Sequence, residues 1–197
     1  MKRLLYVMVL MIAVLIIPLN SLALTITYTA NLDGPSESPA NASPGTGFAT
    51  VIYDNVGHTM QVDVTFSGLL GNVTASHIHA ATAVPGSGTA IVATTIPTFT
   101  DFPLGVTSGT YSHLFDMTLA SSFNPAFITA NGGTTASAEA ALAAALAADK
   151  AYLNIHTTSF PGGEIRGFLT PVPEPASMLL LGFGLIGLAG LRQKFQN

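Results

Sequence analysis

The sequence has little charge and contains neither cysteine nor tryptophan. Only 8% of its 197 residues are charged, against about 25% in an ordinary soluble domain. The absence of cysteine excludes a disulfide framework, thiolate metal ligands and a cysteine nucleophile. Six basic residues against ten acidic ones, without a basic run, argue against nucleic acid as a partner. The chain is instead 49% hydrophobic, and its length suggests one domain with appendages.

The amino-terminal segment has the pattern of a secretory signal peptide. Two basic residues precede an apolar run over 4–19, and small residues follow at Ser21 and Ala23. The run is about 16 residues long, shorter than the roughly 20 residues that a membrane-spanning helix needs. We therefore expect residues 1–23 to be removed as a signal peptide, with an uncleaved membrane anchor as the alternative.

The carboxyl-terminal segment contains a second apolar run. Pro173, Glu174 and Pro175 precede it, the run covers 177–191, and two basic residues follow it. Basic residues on that side would lie in the cytoplasm and leave the rest of the chain outside. The pattern predicts a transmembrane helix within residues 171–197.

This arrangement of motif, apolar run and basic end resembles the PEP-CTERM sorting signal of Gram-negative bacteria. The resemblance implies export across the inner membrane, where the tail is held until the membrane enzyme exosortase cuts it near the Pro-Glu-Pro. It also implies a final place in the cell envelope or outside the cell, with exopolysaccharide or surface proteins as partners. An ordinary tail anchor is the alternative, and it leaves the topology unchanged.

Period-two alternation dominates the region between the two ends. In the segment 60–66, apolar residues alternate with polar ones, which is typical of a half-buried strand. Glycine, proline and asparagine separate this segment from similar ones. We therefore predict an all-β, antiparallel sandwich or barrel for residues 24–170. The predicted strands are 25–29, 48–53, 60–66, 90–96, 111–117, 152–157 and 165–169.

One segment breaks the alternation. Residues 135–150 are mostly alanine, with Leu142 and Leu146 four residues apart. High helix propensity and a narrow apolar stripe predict one Ala-rich helix, packed over an edge or an end of the sheet. A low-complexity linker is the alternative.

Three histidines lie on predicted strands. His77 and His79 are two residues apart, so their side chains share one face of a strand and are close enough to bind one metal ion. The third, His156, lies on a predicted hairpin in which the numbers of paired residues sum to 320. This register puts His156 opposite Glu164 and leaves Leu153, Ile155, Ile165 and Leu169 on the opposite, core face. The other predicted pairs on the polar face are Asn154 with Arg166 and Tyr152 with Phe168.

The polar residues of this hairpin have two interpretations. In the structural interpretation, cross-strand hydrogen bonds and ion pairs stabilise the hairpin and its turn. In the functional interpretation, His77, His79 and His156 bind zinc or copper, and Glu164 is the fourth ligand or hydrogen-bonds to a ligand. The residues of the structural interpretation are Tyr152, Asn154, His156, Glu164 and Arg166.

Four segments of the same region form a set of motifs. They are the Phe-Ser-Gly-Leu at 66–69, the His-x-His in 73–79, the Asn-x-His-Thr in 151–157 and the Gly-Glu-x-Arg-Gly in 161–167. Together they resemble the CHRD family, the domain named after chordin, over about residues 24–170. The resemblance implies an immunoglobulin-like, Greek-key β-barrel or sandwich of bacterial secreted proteins, without an established activity.

A weaker likeness is to copper/zinc superoxide dismutase. There too, a Gly-Leu turn precedes a His-x-His strand that binds copper. The likeness is limited, since residues 80–89 contain no further histidine or aspartate and the disulfide cysteines are absent.

The sequence predicts an exported module that is not an enzyme. No catalytic triad, phosphate-binding loop or paired carboxylate motif is evident, and the remaining histidines, His58 and His113, are expected at the surface. We therefore expect a component of the cell envelope or of an extracellular (biofilm) matrix, sorted by exosortase. A zinc- or copper-binding extracellular module is the alternative, and a superoxide-dismutase-like enzyme is a third.

Overall fold

The structure, a computed structural model, describes residues 25–173. The predicted signal peptide and the tail from Glu174 onwards, with the Pro175 of the sorting motif and the expected transmembrane helix, lie outside the described residues. Eight strands, two α-helices and one 3-10 turn follow each other along the described part. They are β1 Thr25–Asp33, β2 Thr46–Asp54, β3 Thr59–Ser67, β4 Val73–His79, β5 Gly109–Asp116, the 3-10 turn Ala120–Ser122, α1 Pro125–Ala130, α2 Thr135–Ala147, β6 Tyr152–Thr157, β7 Ile165–Phe168 and β8 Thr170–Pro171.

The strands form one curled antiparallel sheet. Their order is β4–β6–β7–β1–β2–β3–β5, and the short β8 pairs with β1. Alternation works as predicted on β3, where Met60, Val62 and Val64 are at most 1% exposed while the residues between them face outwards. Because each strand buries one apolar face in this way, the sheet encloses the core. The all-β, antiparallel fold predicted from the sequence is confirmed.

The Ala-rich helix forms as predicted and ends slightly earlier, as α2. Thr134 and Ser137 make a reciprocal capping box at its start, which satisfies backbone donors of the first turn. Leu142 and Leu146 are fully buried, so the face predicted from their spacing packs on the core. No helix between residues 25 and 173 has the length and apolar content needed for a membrane span.

The segment 90–96 is not the strand that its alternation predicted. It makes two isolated bridges, one of them from Val92 to His79. Some of its backbone groups bond to β4, as the Ala93 N–H does to the Ile78 carbonyl. The carbonyls of Ala90 and Val92 instead accept hydrogen bonds from side chains, those of His79 and Asn124 respectively. A continuous ladder needs the backbone groups that these side chains occupy.

The hairpin of β6 and β7 has the predicted register. Tyr152 pairs with Phe168, and Asn154 pairs with Arg166. The residues expected on its core face are all 0% exposed, namely Leu153, Ile155, Ile165 and Leu169. Since β4 pairs with the other side of β6, the outer face of β4, β6 and β7 carries the candidate residues.

Two loops cover this outer face. The segment 80–99 runs along the free edge of β4 and makes several backbone hydrogen bonds to it. The segment 34–43 lies over the start of β7, where the Asn41 side-chain amide donates to the carbonyl of Glu164 at 3.0 Å. Polar residues on an outer sheet face are thereby shielded from water, and Asn154 is only 2% exposed.

Candidate metal centre

Strands β4 and β6 bring three histidines together on the covered face. His77 and His79 project from β4, opposite Asn154 and Tyr152 of β6. His156 lies two residues after Asn154, diagonally across from His77. Opposed residues of an antiparallel pair have Cβ atoms about 4.5–5.5 Å apart, and diagonal ones about 7–8 Å apart. The register therefore puts the three imidazoles within reach of one another.

The three imidazole rings form a compact triangle. Their centroids are 5.3 to 6.1 Å apart, and ligand nitrogens of the three residues lie within 4.8 Å of one another. Nitrogen ligands of a tetrahedral metal, with bonds of about 2.0–2.1 Å, are about 3.4 Å apart. A closure of about 1.4 Å or less would bring all three nitrogens into the coordination shell of one metal ion.

Each ring is held by one hydrogen bond to a backbone carbonyl of a covering loop or turn. The nitrogen–oxygen distances are 2.6 Å from His77 Nε2 to Pro97, 2.8 Å from His79 Nδ1 to Ala90 and 2.9 Å from His156 Nδ1 to Pro161. Since a carbonyl oxygen can only accept, each of these ring nitrogens carries a proton. Ligating histidines are typically fixed by such a bond, which sets both the tautomer and the ring orientation.

The second nitrogen of each ring is buried and unpaired. Nδ1 of His77 and Nε2 of both His79 and His156 have no hydrogen-bond partner among residues 25–173. Buried polar atoms are normally paired, so each exception needs an explanation. Three such lone pairs in one cluster fit a metal ion, which accepts all of them at once.

Burial keeps these imidazoles neutral. Loss of hydration lowers the pKa of His77 to about 4, and it also lowers the pKa values of His79 and His156 from 6.5. The hydrogen bonds to the carbonyls, and for His79 also the nearby Asn154 side chain, act in the opposite direction without reversing the shift. A metal needs the lone pair of a neutral imidazole, so at neutral pH the rings are in the form that binds.

The donor set suits zinc or copper. Imidazole nitrogen is a good ligand for both ions, whereas calcium and magnesium prefer oxygen. Among the described residues, the metal-sized cluster consists of the three histidines alone, without a carboxylate. The three histidines predicted from the sequence are thus the ones that the structure brings together.

A stack of side chains supports one side of the triangle. The Tyr152 ring is nearly parallel to the His79 ring at a centroid distance of 4.8 Å, and the Arg166 guanidinium lies 4.7 Å from the Tyr152 centroid. Arg166 also donates to the carbonyls of Ser36 and Gly88. The stack therefore positions His79 and ties both covering loops to β7.

Glu37 lies beside Arg166 and was not indicated by the sequence. Its Oε2 is 3.8 Å from the Arg166 Nε, and both side chains are almost completely buried. Burial raises the pKa of Glu37 to about 7, although the guanidinium acts to lower it. Nothing in the Pro- and Ser-rich sequence around Glu37 distinguishes it from a solvated loop carboxylate.

Glu164 makes its hydrogen bonds to a different set of residues, away from the histidines. Its carboxylate oxygens accept four hydrogen bonds, from the hydroxyls of Ser43 and Thr157 at 2.6 Å each and from the backbone N–H groups of Leu70 and Gly71 at 2.6 and 3.2 Å. Burial alone would raise the pKa of Glu164, but these hydrogen bonds lower it below its ordinary value.

The structure therefore does not bring Glu164 to the histidines as a fourth ligand. The expected side-chain pairing of Glu164 with His156 is absent, and His156 bonds instead to the Pro161 carbonyl. The physical reason is that Glu164 precedes β7, so its side chain does not follow the alternation of the strand. Gly163, with a φ of +130°, turns the chain at this point.

The two remaining histidines lie apart from the triangle. His58 is exposed, and its Nδ1 is 3.0 Å from the carboxylate of Glu139 on α2. His113 is partly exposed on β5, where its ring packs against Tyr111 and Phe115.

Two family models match the chain. A CHRD domain model matches residues 28–169, and the model of a PEP-CTERM protein-sorting motif matches residues 171–194. No curated protein and no solved structure matches the chain significantly.

The matched regions define the route and the family of this protein. A PEP-CTERM motif marks a protein that is exported through the inner membrane of a Gram-negative bacterium and processed by exosortase. The CHRD match spans nearly all of the described sheet and includes His77, His79 and His156. Because this match covers well over half of the sequence, the chain belongs to the CHRD domain family.

Proposed function

We propose that this exported protein is a metal-binding module that holds zinc or copper on His77, His79 and His156. The observation that supports the proposal is the buried, unpaired nitrogen that each of the three rings contributes to one cluster. Unpaired buried polar atoms are destabilising, and here three ring nitrogens that can all bind one ion lie together. A metal ion satisfies all three.

Metal content tests this proposal directly. The full chain, purified in detergent and loaded with zinc or copper(II), should retain about one metal ion after free metal is removed, because one triangle binds one ion. The variant with His77→Ala, His79→Ala and His156→Ala should retain none, whereas His113→Ala should match the wild type. Elemental analysis by mass spectrometry measures both. Equal metal in the triple variant and the wild type would exclude the site.

We also propose that the module holds its metal without catalysing a reaction. The unpaired nitrogens of all three rings are buried, although the His156 ring is partly exposed, and His77 and His79 are only 6% and 9% exposed. A catalytic metal needs an open coordination position that substrate can reach. A superoxide-dismutase-like reaction has the same requirement, so turnover of superoxide by the copper-loaded protein, above that of free copper, would contradict this part of the proposal.

The exported module is further proposed to be a component of the cell envelope or of a biofilm matrix, in contact with exopolysaccharide or surface proteins. The PEP-CTERM match supports this proposal, since sorting by exosortase is a route to the cell exterior. Full processing at the Pro-Glu-Pro is the step that releases the module from its tail.

Processing should depend on the sorting motif. Glu174→Ala is expected to leave the tail uncut, because it removes the charged centre of the Pro173–Pro175 motif. The intact mass of the protein recovered from the host's envelope then includes the tail, whereas the control variant Val172→Ala gives the shortened mass of the wild type. A shortened mass for Glu174→Ala would show that recognition does not use this residue.

A further inference from the structure

A fourth unpaired polar atom accompanies the three histidine nitrogens. Asn154 is 2% exposed, and its side chain lies within reach of the His79 ring. Because His79 carries its proton on Nδ1, its Nε2 and the Asn154 Oδ1 are both acceptors, and neither has a hydrogen-bond donor among the described residues. Only six buried side-chain atoms within residues 25–173 are unpaired in this way, and four of them belong to His77, His79, His156 and Asn154. The clustering points to one shared ligand for all four atoms.

Asn154 has a central position on the covered face. It lies between Tyr152 and His156 along β6, directly opposite His77 on β4 and directly opposite Arg166 on β7. Direct opposition in an antiparallel pair puts Cβ atoms about 4.5–5.5 Å apart, so the amide side chain lies against the triangle. The nearest carboxylates cannot replace it, because Glu164 is held by four hydrogen bonds elsewhere and Glu37 lies beside Arg166.

We propose that Asn154 Oδ1 is the fourth donor to the metal bound by His77, His79 and His156. This inference depends on the three-histidine site proposed above and specifies its coordination. Amide oxygens are established ligands of protein-bound metals, and one of them can serve as the weak fourth ligand of a copper site. Four protein donors would leave no position for an external ligand, as is typical of sites that hold a metal and do not use it in catalysis.

The donor set has no negative charge, which gives the proposal a second consequence. Three neutral imidazoles and a neutral amide do not compensate the charge of a divalent ion, and Arg166 adds positive charge on the same face. Replacing Asn154 with aspartate keeps an oxygen donor of nearly the same size and adds one negative charge. The aspartate variant should therefore bind the divalent ion more tightly than the wild type.

Cobalt(II) and azide test the fourth ligand. The full chain in detergent should bind cobalt with a visible spectrum that azide does not change, because no coordination position is open. Asn154→Ala should weaken cobalt binding by about tenfold or more, and its cobalt spectrum should shift when azide enters the vacated position. Asn154→Asp should bind cobalt more tightly and, like the wild type, should not respond to azide.

The outcomes separate this inference from the proposal on which it depends. An azide-dependent spectrum of the cobalt-loaded wild type would show an open coordination position and overturn the role of Asn154. This measurement uses the wild type alone, so it does not depend on the folding of a variant. Unchanged cobalt affinity and spectrum in Asn154→Ala would overturn it as well, while leaving the three histidines in place. A wild type that binds no cobalt, zinc or copper would overturn both proposals together.

Discussion

Saturating zinc should raise the melting temperature of the metal-free full chain by about 10 °C. A ligand that binds only the folded state stabilises it by about 4.1 kcal/mol when its free concentration is 1,000 times the Kd. For a chain of roughly 150–250 residues, each kcal/mol raises the melting temperature by about 2–4 °C. The rise comes from the folded state alone, since unfolding separates β4 from β6 and with them the three histidines.

Removing one histidine should abolish most of this rise. His156→Ala is the variant of choice, because His156 is only partly buried and its loss disturbs the core least. Two imidazoles bind zinc far more weakly than three, so at the same free zinc the melting temperature should rise by no more than a few degrees. Differential scanning calorimetry with and without zinc measures the shift for each protein against its own metal-free form.

The matched control is His113→Ala, which removes a partly exposed histidine of β5 that contacts Tyr111 and Phe115 but not the triangle. It should keep the full zinc-dependent rise, even if the metal-free variant melts at a lower temperature. An equal zinc-dependent rise in the melting temperature of His156→Ala and of the wild type would mean that zinc binds elsewhere. It would contradict the proposed three-histidine site.

The sheet could be predicted from the sequence because burial specifies strand register. On β6 and β7 a shift by one residue would set Ile155 opposite a polar residue of β7, so the apolar pattern allows one pairing only. The same register then predicts which polar residues meet on the other face, including Asn154 and Arg166. His77 and His79 were predictable for the same reason, since alternation is a property of the strand itself.

The part of the site that depends on loops could not be predicted. The carbonyls of Ala90, Pro97 and Pro161 orient the three rings, but every residue has a carbonyl and no side chain marks the ones that matter. The alternation of 90–96 predicts a strand, although this segment forms only isolated bridges and two of its carbonyls accept from side chains. Loop geometry depends on long-range contacts, which period-two patterns do not describe.

Glu164 shows where the alternation rule ends. The predicted pairing of His156 with Glu164 applies the alternation of β7 to a residue just before the strand, directly after the turn at Gly163. There the side chain takes the direction that satisfies the most hydrogen bonds. A buried carboxylate needs several donors, and it finds them in Ser43, Thr157 and the backbone of Leu70 and Gly71.

Glu164→Ala should therefore destabilise the protein by about 3–5 kcal/mol, because it leaves several buried donors without an acceptor and each costs about 1–3 kcal/mol. Glu164 connects the loop before β2, the loop before β4 and the end of β6. Its loss leaves the hydroxyls of Ser43 and Thr157 and the N–H of Gly71 buried without this acceptor. Chemical denaturation of the full chain in detergent measures the change, and Asp63→Ala, on the outward side of β3, should cost far less.

The pH dependence of this loss distinguishes the carboxylate from the space that it fills. The hydrogen bonds lower the pKa of Glu164 from 4.5 in the folded state, so its charged form contributes stability above about pH 4.5 that is lost as the pH falls through the lower, folded-state pKa. Glu164→Gln keeps the size and one acceptor oxygen but does not titrate. The stability difference between wild type and Glu164→Gln should shrink steadily below pH 4.5, and a difference independent of pH would show that packing, and not the charged hydrogen bonds, explains the role of Glu164.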